Sequence, residues 1–222
     1  MLDQITVNAH SSIRIGGKTV VYIDPFRLSE EAHDADLILF THPHYDHFSP
    51  EDFRKAAKPD TVYVCPGSMK KEALAAGIEP HYLATIEAEE TLCLRGIEIE
   101  GVPAYNTNKP NHPKKNGWLG YVLEIGPEHI YIAGDTDRIP EGEAVYCTIA
   151  LVPIGGTYTM NAEEAAAFVN AIRPHTAVPT HYGCIVGTLD DARSFVKHLD
   201  RGVEVCLKIS GAAGERGSAY PG

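Results

Sequence analysis

The sequence predicts a single α/β domain over residues 1–222, with β-sheets inside and helices outside. Strand-like segments dominate the first two thirds of the chain, and helical segments alternate with strands near both ends. Neither a low-complexity tract nor a linker divides the chain. With 222 residues, 44% of them hydrophobic, the chain is large enough to bury a substantial core.

The N-terminal quarter has the residue alternation of β-structure. Residues 5–7 and 13–15 are predicted strands. The pair Gly16-Gly17 is typical of a two-residue hairpin turn, and residues 19–23 form the predicted returning strand. Residues 37–40 are almost wholly apolar, which indicates a short strand buried on both faces.

Capping residues mark where helices begin. Ser49 is expected to cap a helix whose first residue is Pro50, so a loop separates this helix from the strand at 37–40. Asn161 and Glu164 form a capping-box pattern at the start of a later helix. The remaining predictions are strands at 61–64, within 82–104, and at 118–125, 129–133, 147–154, 177–178 and 203–209, helices at 68–76, 161–173 and 188–199, a loop at 106–117, and a loose tail at 211–222.

Charge and cysteine content exclude several classes of function. The chain carries 19 Lys and Arg against 30 Asp and Glu, a net charge of −11, which disfavours nucleic acid as a partner.

There is no leader-like N-terminus and no long apolar run, so we expect a cytoplasmic protein without membrane association. The five cysteines form no CxxC pair and are expected to be buried, reduced thiols. A homo-oligomer is compatible with the sequence but not specified by it.

The stretch FTHPHYDHFSP, residues 40–50, is the most informative motif. His42 and His44 are two residues apart, so in an extended segment both imidazoles point the same way. Asp46 and His47 follow past a bend and could serve a second ion. Imidazole and carboxylate donors suit Zn²⁺, Mn²⁺, Fe or Ni²⁺ better than Ca²⁺. The competing interpretation is a histidine-rich surface turn.

The H-x-H-x-D-H spacing after a buried strand resembles the metallo-β-lactamase-fold superfamily. YIAGDTD and PTHYG resemble that superfamily's later metal-binding segments, and the resemblance spans nearly the whole chain. GDTD, LVPIGGTYTM and PTHYG resemble the branch that includes L-ascorbate-6-phosphate lactonase. The resemblance implies an αββα four-layer sandwich.

The resemblance also implies the metal ligands. The first site would hold His42 and His44, the second Asp46, His47 and His181, and Asp135 would lie between them. Many relatives have another first-site histidine before the aspartate strand, where this chain reads VPAYNTNKPNHP. His112 is the only histidine available there, near Asn106 and Asn108. Either His112 takes the role from a displaced loop, or the first site is one ligand short.

Two further residues are given roles near the metals. Asp46 is expected to orient the attacking hydroxide in addition to binding metal. His10, in VNAHSSIRI, is either a half-buried strand residue or, by resemblance to relatives with a His-Ser pair at this place, a catalytic residue that supports the cleft or contacts substrate. Asp137 is expected to cap a loop and not to bind metal.

These patterns predict a metal-dependent hydrolase that uses a metal-bound hydroxide on a small lactone, ester, amide or phosphodiester. Two divalent ions are expected, with zinc first and Mn, Ni or Fe as alternatives. The alternative function is a non-catalytic metal-binding or regulatory protein of the same fold. A di-iron redox role is disfavoured, because redox relatives resemble H-x-E-x-D-H and this chain has His44 at the variable position.

Overall fold

The structure, a computed structural model, describes residues 1–209, so the predicted loose tail at 211–222 lies outside the described residues. Two β-sheets form its centre. The first sheet contains, in spatial order, β1 (Ile5–Ala9), β2 (Ser12–Ile15), β3 (Val21–Ile23), β4 (Ala35–Leu39), β5 (Ala57–Pro66) and β6 (Leu83–Ile86). Its first three strands are antiparallel, and β3 to β6 run parallel.

The second sheet has seven strands, from β7 at one edge to β13 at the other. They are β7 (Thr91–Leu94), β8 (Ile97–Pro103), β9 (Leu119–Ile125), β10 (Glu128–Ile132), β11 (Ile149–Pro153), β12 (Thr176–Thr180) and β13 (Glu204–Val205). Strands β7 to β10 are antiparallel, and β10 to β13 are parallel.

Apolar side chains fill three layers between and outside the sheets. Residues such as Leu37, Tyr121 and Leu151 pack between the two sheets. The outer face of the first sheet is covered by α1 (Pro50–Ala56) and α2 (Lys70–Ala75), with Phe53 in that layer. The outer face of the second sheet packs against α3 (Pro140–Glu143), α4 (Ala162–Ile172) and α5 (Leu189–His198), with Phe168 and Phe195 buried there. The expected αββα sandwich is confirmed.

The predicted helix caps are confirmed. Ser49 Oγ accepts a hydrogen bond from the Asp52 amide, and Pro50 begins α1. Asn161 and Glu164 form both hydrogen bonds of the capping box at α4. No helix within residues 1–209 is long and apolar enough to cross a bilayer.

Three local predictions are wrong. The pairing of Ile15 with Val21 leaves five residues, 16–20, between β2 and β3 instead of a two-residue turn. The Gly16 amide donates to Gln4 O, immediately before β1, so the contact between β1 and β2 continues past Ile15 before the chain turns. The strand predicted at 203–209 pairs with β12 only at Glu204 and Val205. Cys93 is exposed because its side chain alternates along β7 with the inward-facing Leu92 and Leu94. Cys184 and Cys206 are half-buried, and Cys65 and Cys147 are buried as expected.

Strand order brings loops of both sheets to one end of the sandwich. The carboxyl ends of parallel strands lie at the same edge of a sheet, and ligand sites in α/β proteins form at that edge. The chain just after β4 reaches the start of β9 in the second sheet, where the Leu119 amide donates to Thr41 O. The Tyr121 hydroxyl donates to Phe40 O at 2.6 Å in the same place. The motif at 40–50 therefore faces the ends of the second sheet.

Candidate metal centre

A first cluster contains three histidines from two loops. His42 and His44 follow β4, and His112 comes from the loop between β8 and β9. One ring nitrogen of each lies within 4.8 Å of the others. His42 Nε2 is 3.1 Å from His44 Nδ1. The loop that contains His112 therefore brings its ring beside those of the first two histidines.

A second cluster lies beside the first and contains His10, Asp46, His47 and His181. Their donor atoms also lie within 4.8 Å of one another. His10 comes from the turn between β1 and β2, and His181 follows β12 directly. Asp46 Oδ2 is 3.3 Å from His10 Nε2 and 3.7 Å from His47 Nε2. Three separate segments of the chain thus meet at one point.

Asp135, which follows β10, lies between the two clusters. Its Oδ2 is 3.3 Å from His112 Nε2 and 3.9 Å from His42 Nε2 in the first cluster. The same atom is 3.0 Å from His181 Nε2, and Oδ1 is 3.4 Å from His47 Nε2, in the second cluster. The carboxylate is 3% exposed, so it can serve both clusters but not solvent.

The donor set fits divalent cations. Nε2 of His10, His47, His112 and His181 and Oδ1 of Asp135 are all buried and have no hydrogen-bond partner among the described residues. A buried polar atom left unpaired costs about 1–3 kcal/mol. Ligand bonds of about 2.0–2.2 Å in a tetrahedral site place donor atoms roughly 3.3–3.6 Å apart, which is close to the 3.0–3.9 Å separations around Asp135. Cations among these atoms would satisfy all of them.

Buried partners fix which nitrogen faces the centre in three of the rings, those of His42, His47 and His112. Asp24 accepts hydrogen bonds from His47 Nδ1 at 2.7 Å and from the Thr41 hydroxyl at 2.6 Å. Thr41 Oγ1 in turn accepts from His42 Nδ1 at 2.9 Å. Asn106 Oδ1 accepts from His112 Nδ1 at 3.0 Å. With the proton on Nδ1, each Nε2 presents a lone pair, as metal coordination requires.

Burial favours the neutral form of three imidazoles, those of His10, His42 and His44. Burial lowers the pKa of His42 well below its usual value and also lowers that of His44. Burial lowers the pKa of His10 to about 4, against the opposing effect of the Asp46 carboxylate. These three rings are therefore uncharged at neutral pH and offer lone pairs.

His47 and Asp135 behave as a coupled pair of opposite charge. Burial would lower the pKa of His47, but the Asp135 and Asp24 carboxylates raise it to about 9. Burial would raise the pKa of Asp135, but His181 and His47 hold it well below its usual range. A cation that binds His47 near neutral pH must therefore displace its proton.

Three residues of the centre have strained backbones. His10, Asp24 and His181 have φ values of 55°, 47° and 58°, in the left-handed region that non-glycine residues rarely adopt. The His181 amide donates to His10 O at 2.9 Å, which ties the two strained segments together. Such strain persists only where the surrounding structure holds it, and it is concentrated at functional sites.

The sequence did not indicate Asp24, Thr41 or Trp118 as members of the centre. Asp24 follows β3 in an Asp-Pro pair, which is only a weak indication of a site residue. No pattern in the sequence indicated Trp118. The Trp118 ring centroid lies 5.1 Å from that of His42, 4.9 Å from that of His44 and 5.4 Å from that of His112. Trp118 is the only tryptophan of the chain. It forms an aromatic wall beside the first cluster.

Asp137 caps a loop as predicted, because it accepts hydrogen bonds from the Thr107 amide and from Asn106 Nδ2. His10 was considered as a half-buried strand residue, which is wrong: it is 0% exposed and lies in a turn. Its φ of 55° is incompatible with a strand, in which φ is strongly negative.

Comparison with known proteins places these features in a family. Residues 4–181 match the family model described as the beta-lactamase superfamily domain. The chain is 33% identical to a UPF0173 metal-dependent hydrolase of Thermoplasma acidophilum over 81% of this chain and 83% of that protein. It is 30% identical to a UPF0173 metal-dependent hydrolase of Methanopyrus kandleri over 96% of this chain and 100% of that protein.

Solved structures show the same fold. A crystal structure from Parabacteroides distasonis has a TM-score of 0.74 and 27% identity, covering 90% of this chain and 91% of that one. Igni18, described as a metallo hydrolase of Ignicoccus hospitalis, has a TM-score of 0.71 and 19% identity, with 98% of each chain covered. At that identity the second likeness concerns the fold alone.

Proposed function

We propose a reaction for this chain on the premise of its family: it belongs to the β-lactamase superfamily and, within it, to the UPF0173 metal-dependent hydrolases. The chain is thus a metal-dependent hydrolase. Its proposed substrate is a small lactone, ester, amide or phosphodiester that is cleaved by water. The observation that carries the proposal is the convergence of buried donors without hydrogen-bond partners around Asp135.

The proposed ligands form two sites. The first consists of His42, His44 and His112, the second includes Asp46, His47 and His181, and Asp135 belongs to both. This donor set suits Zn²⁺ and also accommodates Mn²⁺, Ni²⁺ or Fe. When bound, such a cation lowers the pKa of water towards neutrality and polarises the carbonyl or phosphoryl oxygen under attack.

The chain's own residues supply orientation and proton acceptance. Asp24 and Asn106 hold the Nδ1 protons of His47 and His112, so that both Nε2 atoms face the centre. Asp46 is 8% exposed, and we assign its carboxylate to accept a hydrogen bond from the attacking water and aim it at the substrate. Trp118 excludes solvent from one side of the first cluster and strengthens the electrostatic interactions there.

The alternative of a non-catalytic metal-binding protein was based on a first site short of one ligand. In the structure a His112 ring nitrogen lies within 4.8 Å of the donor atoms of His42 and His44. That proximity supports a complete first site and removes the particular reason for the alternative. No other observation favours it over hydrolysis.

The test begins with elemental analysis of the purified protein. The protein is then stripped with a chelator, reloaded with the metal found, and assayed against lactones, esters, amides and phosphodiesters. Asp135→Asn keeps the shape of the side chain but removes its charge, and we expect it to reduce turnover by more than about 100-fold. Asp36→Asn, at the opposite end of β4, is the matched control and should retain turnover. Equal turnover of wild type and Asp135→Asn would contradict the proposal.

A further inference from the structure

His10 is a fully buried imidazole that points into the second cluster. It is 0% exposed, and neither ring nitrogen has a hydrogen-bond partner among the described residues. Nε2 lies 3.3 Å from Asp46 Oδ2, but the approach lacks hydrogen-bond alignment. The ring centroid is 3.7 Å from that of His181. A buried ring with two unpaired nitrogens beside a carboxylate is unexplained by packing alone.

The backbone holds this ring in place from two sides. His10 has a φ of 55°, and its carbonyl accepts a hydrogen bond from the amide of His181, which has a φ of 58°. The turn between β1 and β2 is thereby fixed to the end of β12, where a ligand of the second site is already proposed. Strain at both residues indicates that the position of the His10 ring is specified and not incidental.

We infer that His10 is a direct ligand of the second cation, and not only a neighbour of Asp46 or of the substrate. The inference rests on the proposed metal centre. The 3.3 Å between His10 Nε2 and Asp46 Oδ2 lies within the 3.0–3.9 Å range of the donor separations around Asp135. A cation in the second cluster would supply the missing partner for His10 Nε2.

The two sites then differ in character. The second site has five protein donors, all of them buried: His10, Asp46, His47, His181 and Asp135. The first site has three histidines and Asp135, and His44 is half-buried at its outer side. The second site, with five protein donors, leaves fewer positions for water or substrate than the first site, with four. Substrate is therefore expected to bind at the first site, beside Trp118.

The test measures binding of Zn²⁺ to stripped protein and needs no substrate. Trp118 fluorescence follows the first site, because its ring lies 4.9–5.4 Å from the three first-cluster rings. Calorimetric titration and elemental analysis count all bound ions. For His10→Ala we expect one ion to bind at least tenfold more weakly, with the Trp118 response to the other ion preserved. The matched variant His112→Ala should instead lose the Trp118 response and retain the second ion.

His10→Cys tests the inference by a gain of signal, and it remains informative if the alanine variant does not fold. A thiolate bound to Co²⁺ gives an absorption band that imidazole and carboxylate ligands lack. Co²⁺-loaded His10→Cys should show this band, and the wild type, which retains its own five cysteines, should not.

The outcomes separate the inference from the proposed function. Two ions bound with unchanged affinity in His10→Ala, or no thiolate band in folded His10→Cys, would overturn the inference and leave the hydrolase intact. Failure of the wild type to bind Zn²⁺ would overturn both. If His10 only contacts Asp46 or the substrate, His10→Ala should change turnover and leave metal affinity unchanged. That result would also contradict the inference that His10 binds the metal.

Discussion

Replacement of Asp24 by asparagine is the most direct test of how the centre is organised. Asp24 is 1% exposed and accepts three hydrogen bonds, from the Thr41 amide at 2.8 Å, the Thr41 hydroxyl at 2.6 Å and His47 Nδ1 at 2.7 Å. Asparagine keeps the shape but brings an NH₂ group to one of these positions. If that group faces His47, it donates to Nδ1 and forces the ring proton onto Nε2, the atom that must bind metal.

The size of the effect follows from these contacts. Loss of a partner that orients a metal-binding histidine lowers metal affinity by about 10–100-fold. Loss of a hydrogen bond to a charged group costs about 1.5–3 kcal/mol of folding free energy. For a domain of this size each kcal/mol lowers Tm by roughly 2–4 °C. We therefore expect Asp24→Asn to fold, to melt a few degrees earlier and to bind its second ion at least tenfold more weakly.

Competition with a chromophoric chelator measures the affinity of each ion, and thermal denaturation measures stability. Asp36→Asn is the control, because Asp36 also accepts a backbone amide hydrogen bond, from Val20 at 2.7 Å, but lies at the start of β4, away from the centre. The control should lose stability alone. Asp24→Asn with the metal affinity of wild type would refute the argument that Asp24 sets the orientation of His47.

Three further predictions concern metal content, packing and pH. Removal of the metal with a chelator should lower Tm, because an ion at 100 times its Kd stabilises the fold by about 2.7 kcal/mol; an unchanged Tm would argue against bound cations. Gly155→Ala should impair metal binding, since a Cβ there would lie 2.4 Å from His181 O and 2.9 Å from His181 Nδ1; wild-type metal content in this variant would show that the loop can move freely. Burial would raise the pKa of Asp52, but hydrogen bonds from Ser49 and from the Arg27 and Leu28 amides lower it. A carboxyl with a lowered pKa stabilises the fold above its unfolded pKa of about 3.9, and this stabilisation is lost as pH falls through the folded pKa. The Tm difference between wild type and Asp52→Asn should therefore shrink in acid, and a constant difference from pH 7 to pH 2 would contradict this.

The features that the sequence alone predicts are those set by neighbours along the chain. The helix caps at Ser49 and Asn161 depend on a side chain and an amide three residues away, so their patterns are visible in the sequence. The spacing of His42, His44, Asp46 and His47 likewise predicts a metal centre after a buried strand. Where a distant contact intervenes, as when Gly16 bonds to Gln4, the local pattern fails and the predicted turn is wrong.

The fold class, the helix caps and the metal-binding loop can therefore be predicted from the sequence. Which distant residues complete the centre depends on the tertiary structure. Asp24 accepts a hydrogen bond from His47, which lies 23 residues further along the chain. Asn106 orients His112 within a loop whose sequence has no regular periodicity. These partners depend on how two sheets pack and on the paths that loops take at their ends. Because these contacts depend on the packing of the whole buried core, no short segment of the sequence predicts them.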